Sequence, residues 1–226
     1  DKDGKEFGQL AAEDREYVEM KEMPDYLGKA FIAIEDKRFM DHYGVDIQGI
    51  ARAIVVDIKT MSLSEGASTI TQQLARQIFL TNEKNFTRKI KEALIAINLE
   101  QHYTKEQILE MYMNQIYFGH GKYGVQTAAE WYFGKSARKE GDKKTIDLSE
   151  AAMLAGIVKG PNVYSPKINK DKAIERRNLV LKRMHDQGFI TKEQMVQAMN
   201  EKVKLAKNEG QGNKYQAYLY LGRKEA

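Results

Sequence analysis

Apolar side chains recur three or four positions apart along most of this chain, which is the spacing of one face of an α-helix. Such stripes predict a helix after Pro24 through Ile34 and others over about residues 46–58, 70–78, 85–101, 124–133, 148–158 and 171–187. Two Thr-x-x-Gln patterns, at Thr104 and at Thr191, match a helix-capping box and predict further helix starts.

Glycine, serine and β-prone residues separate and flank these stripes. Residues 60–68 and 117–124 are rich in small or glycine residues and predict loops. Residues 1–20 predict a short hairpin or an extended lead-in, and residues 215–220 a strand. The pattern as a whole therefore predicts a mainly α-helical protein.

Composition excludes several classes of protein. The 226 residues are 42% hydrophobic and 30% charged, an ordinary globular balance that argues against disorder. Cysteine is absent, which excludes a disulfide scaffold, thiolate metal sites and a cysteine nucleophile. No apolar run approaches the ~18–20 residues of a membrane span. The net charge of +4 favours anionic partners without choosing among nucleic acid, phosphate esters and anionic lipid.

A carboxylate pair, Glu35-Asp36, follows the apolar stripe of Phe31 and Ile34. A carboxyl group at the end of such a stripe is a candidate general base, and His42 is close enough in sequence to lie nearby. Taken alone, a solvated acidic pair and a packing histidine are the more common interpretations.

Small hydroxyl residues precede the apolar stripe that starts at Ile70. A helix start rich in serine and threonine predicts free backbone N–H groups and hence an anion site, to which Gln72, Gln73 and Arg76 add polar and charged groups. The alternative is a capped helix with polar surface residues.

Basic residues at 84, 88 and 91 share one helical face, and Glu92 follows Arg88 by four positions. These residues predict a pyrophosphate clamp with a second carboxylate, although a surface ion pair would explain them as well. Farther along, Glu110 and Asn114 are one turn apart. Spacing favours a core position for Tyr112, and the default for Arg176-Arg177 is packing or surface.

Together and in this order, these segments resemble the five motifs of the peptidoglycan glycosyltransferases, glycosyltransferase family 51. The resemblance covers roughly residues 24–200. It implies a mainly α fold with a larger lysozyme-like helical lobe and a small membrane-facing jaw lobe. It also implies polymerisation of lipid II into β-1,4-linked glycan strands, with inversion at the donor anomeric carbon and release of undecaprenyl pyrophosphate.

The resemblance assigns roles to individual residues. Glu35 and Glu92 match the two catalytic glutamates, the first as base on the acceptor hydroxyl and the second as support for the leaving group, with a divalent cation (Mg or Mn) an open option at Glu92. Substrate-binding roles are implied for Asp36, Phe39, His42, Ser68, Thr69, Thr71, Gln72, Gln73, Arg76, Lys84, Arg88 and Asn114. Arg176 and Arg177 match a motif regarded as structural. Arg76 stands where the family usually has lysine, and Met113 where it usually has leucine.

The implied partners are lipid II, the growing glycan chain and the membrane surface, with other cell-wall synthesis proteins left open and no nucleic acid. The implied location is the outer face of the bacterial cytoplasmic membrane, held by an N-terminal helix absent from this chain. We expect lead-in strands at 1–22, the glycosyltransferase domain at 23–206 and a linker at 207–226 toward a transpeptidase domain. A monofunctional enzyme with a long tail is the alternative parent.

Three other functions remain open at this stage. A lysozyme-like hydrolase would use a carboxyl group as a general acid but needs no pyrophosphate site. A helical nucleic-acid binder would concentrate basic residues away from acids, whereas Glu35, Asp36 and Glu92 lie among the basic motifs. A silent scaffold would not need both glutamates.

Overall fold

The computed structural model describes residues 16–51, 68–79 and 86–207. Short 3-10 helices lie at Met20–Glu22 and Phe39–Asp41, and residues 47–51 are helical. The named α-helices are α1 (Asp25–Glu35), α2 (Ile70–Phe79), α3 (Phe86–His102), α4 (Lys105–Gln115), α5 (Val125–Phe133), α6 (Leu148–Ile157), α7 (Pro161–Tyr164), α8 (Lys170–Asp186) and α9 (Lys192–Asn200). In these ranges β-structure is limited to isolated bridges, so the predicted mainly α fold is confirmed.

Helix α6 is the centre of one group of helices. It is buried on almost every side, and it packs against α1, α8 and α9. Its small residues allow close approach: a Cβ at Gly156 would lie 2.9 Å from Cγ of Arg176 on α8. This packing fixes the position of α1, whose last residue is Glu35.

Helix α2 is the centre of a second group, since it packs against both α3 and α4. Its buried face includes Ile70 and Leu74. The two groups share one hydrophobic core, and Phe31 of α1 meets Tyr112 of α4 edge to face with ring centroids 6.0 Å apart. The ends of α1 and α2 are therefore held in a fixed relation.

Local signals predicted the helix starts well. Thr104 and Thr191 each form the predicted capping box with the glutamine three residues later. Residues 1–15 of the predicted lead-in, residues 52–58 of the predicted 46–58 helix, most of the 60–68 loop and the predicted end strand lie outside the described residues. They stay predictions, as do the jaw lobe and the domain limits. Within the described ranges, none of the helices combines the length and apolarity that crossing a bilayer requires.

Candidate active site

Glu35 ends α1 with its side chain only 9% exposed. Its Oε2 accepts a hydrogen bond of 2.9 Å from Nε2 of Gln73 on α2. Its Oε1 is buried without a hydrogen-bond partner and lies 3.9 Å from Nη2 of Arg176 on α8. The carboxylate thus has one oxygen fixed by the Gln73 hydrogen bond and one oxygen without a hydrogen-bond partner.

Gln73 is itself fixed from the other side. The Tyr112 hydroxyl of α4, buried in the core, donates a 3.0 Å hydrogen bond to Oε1 of Gln73. Burial, reinforced by the Glu35 carboxylate, raises the pKa of Tyr112 well above its ordinary value. The phenol therefore remains a donor, and three helices meet in a line from Tyr112 through Gln73 to Glu35.

Asp36 joins the end of α1 to the start of α2. One of its oxygens accepts a 3.0 Å hydrogen bond from the backbone N–H of Ile70, and Nε2 of His42 lies 2.9 Å from the same oxygen. Phe39 packs edge to face on His42, and its ring lies under the ammonium of Lys105 at 4.6 Å. Asp36, Phe39 and His42 are thus brought together, and the contacts described here are with the protein scaffold.

Glu100 on α3 is a further buried carboxylate, and sequence reasoning missed it. Its side chain is 2% exposed and pairs with the Lys105 ammonium at 2.6 Å. It also accepts a 2.6 Å hydrogen bond from the Thr71 hydroxyl, and Nδ1 of His42 lies 4.0 Å away. A signal was present, because Glu100 lies two turns after Glu92, on the side of α3 that carries buried Ala96.

The start of α2 differs from the prediction. Thr69 and Gln72 exchange side-chain to backbone hydrogen bonds of 3.1 Å in each direction, which is a capping box. The Ile70 N–H is taken by Asp36, and the Thr69 hydroxyl donates to the carbonyl of Gly44 at 2.6 Å. For Thr69, Ile70 and Gln72 the prediction of N–H groups free for an anion is therefore wrong, because side chains already satisfy them.

The second predicted glutamate, Glu92, is completely buried and doubly paired. Arg88 contacts one of its oxygens, and the Lys89 ammonium lies 2.9 Å from the other. Lys89 also donates to the Ser68 hydroxyl at 2.6 Å, a contact that sequence reasoning missed.

This environment does not fit a divalent cation at Glu92. Both carboxylate oxygens already face cationic side chains, which would repel a metal ion. Nor do the described residues include a group of three acidic or histidine side chains able to hold one.

Comparison with known proteins identifies the family. A family model described as Transglycosylase matches residues 3–185. The chain belongs to the transglycosylase family. It is 46% identical over 227 residues to penicillin-binding protein 1F of Bacillus subtilis (strain 168), covering 100% of this chain and 31% of that protein. It is 43% identical over 221 residues to penicillin-binding protein 1A of Aquifex aeolicus (strain VF5), covering 98% and 29%.

A crystal structure of penicillin-binding protein 1A from Haemophilus influenzae shares the fold of the transglycosylase chain. The TM-score is 0.51 at 23% identity, over 93% of this chain and 22% of that one. The chain spans less than a third of the length of these relatives. The matches confirm the predicted resemblance to peptidoglycan glycosyltransferases of the penicillin-binding protein type.

Three of the predicted substrate-binding residues of the transglycosylase remain: Arg76, Lys84 and Asn114. Arg76 is exposed on α2, whereas Lys84 lies outside the described residues. Asn114 is 3% exposed and bonds in both directions to the backbone of Val18, at 2.9 and 2.8 Å. Its Nδ2 also donates to the carbonyl of Glu110 at 2.9 Å. The amide therefore holds the backbone of Val18 to α4, and the substrate-binding role of Asn114 stays a prediction.

The two arginines of the fifth motif have different environments. Arg177 is buried and donates to the carbonyls of Met199 and Glu201 at 2.7 and 3.0 Å, in keeping with a structural role. Burial lowers the pKa of Arg177 from its ordinary value. Arg176 instead lies across the Tyr164 ring and faces Glu35, so it belongs to the candidate site of the transglycosylase.

Proposed function

We propose that this transglycosylase domain polymerises lipid II, with Glu35 as the general base. The single observation that carries the proposal is the asymmetry of the Glu35 carboxylate. Oε2 is held by Gln73, while Oε1 is buried, has no hydrogen-bond partner and faces a cation. A desolvated oxygen of fixed direction is suited to accept a proton from a sugar hydroxyl.

In the proposed reaction, Oε1 takes the proton of the acceptor 4-hydroxyl as that oxygen bonds to the donor anomeric carbon. The bond from this carbon to the pyrophosphate oxygen breaks, and its electron pair leaves with the undecaprenyl pyrophosphate. Attack from the face opposite the leaving group inverts the configuration. A base and a positively charged leaving-group site are therefore both needed.

Positive charge on α3 supports the leaving-group half of the proposal. Arg88 and Lys89 place two cationic side chains beside the carboxylate of Glu92. In this proposal Glu92 acts as an anchor that holds the two cations in place for the pyrophosphate. Arg76 and Lys84 would add further charge along the same substrate.

Exposed apolar side chains support a membrane surface as partner. Tyr43 and Ile47 are 80% and 76% exposed, and Leu94 on α3 is 62% exposed. The intervening Gly44 packs directly on α3, since a Cβ there would lie 2.7 Å from the Ala96 carbonyl carbon. These side chains thus lie on adjoining elements and could enter the interfacial layer of a bilayer that presents the lipid substrate. Acidic substitutions at Tyr43 and Leu94 should then reduce sedimentation of the protein with phospholipid vesicles.

The decisive experiment is polymerisation of labelled lipid II by the Glu35→Gln variant. The substitution keeps the shape of the side chain and removes the base, so we expect activity to fall roughly 10²–10⁴-fold. Glu193→Gln, an exposed position on α9, is the matched control and should keep full activity. Near-normal polymerisation by folded Glu35→Gln would remove Glu35 from this role. Release of fragments from polymeric glycan would instead indicate a hydrolase.

A further inference from the structure

Tyr112 is a buried residue that the proposed reaction does not use directly. Its ring packs against Phe31, and its hydroxyl reaches into the site between α1 and α2. A buried tyrosine hydroxyl usually needs a hydrogen-bond partner, and Gln73 supplies it here. The position therefore connects the core to the side chain that touches the base.

The direction of the two hydrogen bonds is fixed by chemistry. An ionised carboxylate only accepts, so Gln73 must turn its NH2 group toward Glu35 and its carbonyl oxygen away. The carbonyl oxygen then needs a donor, and the Tyr112 hydroxyl is that donor at 3.0 Å. A flipped amide would place its oxygen against the Glu35 carboxylate, two acceptors facing each other at 2.9 Å.

Neighbouring Gln72 shows that this arrangement is specific to one of the two glutamines. Its side chain closes the capping box with Thr69 at the start of the same helix. Of these two glutamines, Gln73 is the one that bonds to both α4 and α1. Gln72 therefore caps the helix, whereas Gln73 connects Tyr112 to Glu35. Fixing Oε2 through Gln73 leaves Oε1 as the oxygen directed away from the relay.

We propose that Tyr112 is a positioning residue that acts through Gln73 to hold the Glu35 carboxylate with Oε1 presented to the acceptor hydroxyl. This inference rests on the proposed function of Glu35. It requires that loss of the Tyr112 hydroxyl slows the chemical step while substrate binding stays intact. It also requires that this effect depends on the Gln73 amide.

The test is a double-mutant cycle of Tyr112→Phe and Gln73→Met, measured as kcat and KM for lipid II polymerisation. We expect Tyr112→Phe to lower kcat about 5- to 30-fold with KM within about twofold, the scale of one buried hydrogen bond. In the Gln73→Met background, Tyr112→Phe should cause no further loss, because the relay is already broken. An equal loss in both backgrounds would overturn the relay.

Tyr132→Phe is the matched control. Tyr132 is also completely buried, and its hydroxyl donates to the Phe118 carbonyl at 2.8 Å, outside the candidate site. It should lose stability but keep kcat, so a kcat for Tyr112→Phe no lower than that of Tyr132→Phe would contradict the inference. If Tyr112→Phe is too unstable to assay, Gln73→Asn takes its place, since it shortens the bridge but keeps the amide. Unchanged kcat there would also contradict the relay.

Glu35→Gln in the same assay separates the two proposals. If it retains activity, the proposed function itself fails. If Glu35→Gln is inactive while Tyr112→Phe behaves like Tyr132→Phe, the base assignment stands and only the positioning role is lost.

Discussion

Replacing Asp36 by alanine should destabilise the whole fold. The Asp36 carboxylate is buried and serves two partners, the Ile70 N–H at the start of α2 and Nε2 of His42. Alanine would leave both groups buried without their acceptor. The His42 ring, 6% exposed, cannot turn to water to replace the lost contact.

The magnitude follows from these contacts. The Ile70 N–H and Nε2 of His42 each lose a buried hydrogen-bond partner at about 1–3 kcal/mol, so we expect a total loss of about 3–5 kcal/mol. This range includes the lost helix cap, which by itself is worth about 0.5–2 kcal/mol. For a chain of this size, 1 kcal/mol corresponds to about 2–4 °C in the unfolding midpoint, so we expect a drop of about 6–20 °C.

Urea and thermal unfolding of the purified variant measure this change. Asp171→Ala is the control, because Asp171 is an exposed acid in the first turn of α8. Asp36→Asn should recover part of the loss, since its amide oxygen can still accept from Ile70. If Asp36→Ala is no less stable than Asp171→Ala, Asp36 does not join α1 to α2 and the scaffold role assigned to it is incorrect.

Two further predictions concern Asn114, which bonds to the Val18 backbone, and Asp147, which caps α6. Asn114→Ala should lower the free energy of unfolding by about 2–4 kcal/mol, because the backbone of Val18 loses two buried hydrogen bonds. We call this pair of hydrogen bonds the Asn114 clamp. Urea unfolding measures the change, and an unchanged urea midpoint would show that the clamp does not stabilise the fold. The pKa of Asp147, the N-cap of α6, is lowered: burial opposes ionisation, but the Glu150 N–H and the Lys135 ammonium outweigh it. An acid whose pKa is lower in the folded state than in the unfolded state stabilises the fold at pH values above its unfolded-state pKa. This stabilisation is lost as the pH falls through the folded-state pKa. Asp147→Asn should therefore have a lower free energy of unfolding than the parent protein near neutral pH, and this difference should shrink as pH falls below about 4. A difference that does not change with pH would contradict the prediction.

Sequence reasoning succeeded where the information was local. The helix stripes and the boxes at Thr104 and Thr191 depend on residues within four positions. The structure confirms them where it describes the chain, although it describes only residues 46–51 of the predicted 46–58 helix. The same local pattern was misread at Thr69-x-x-Gln72, where a capping box was interpreted as an anion site. The hydroxyl-rich start suggested free N–H groups, although the capping signal was equally visible.

Contacts between distant segments could not be predicted from periodicity. The bond from Asp36 to Ile70 spans 34 positions, and the clamp of Asn114 on Val18 spans 96. The resemblance to the peptidoglycan glycosyltransferases implied substrate-binding roles for both residues. In the structure both side chains are buried and hydrogen-bonded to groups that only the folded chain brings near, and their substrate-binding roles stay predictions.

The clamp at Val18 has a mechanical consequence for the domain. Asn114 grips the backbone at Val18 on both its N–H and its carbonyl, and Glu110 on the same helix accepts from the Tyr17 hydroxyl and the Met20 N–H. A pulling force on the chain at residue 16 would be borne by these bonds together and passed into α4. That helix also carries Tyr112. A force on the segment before residue 16 would therefore reach the helix that positions Gln73 and Glu35.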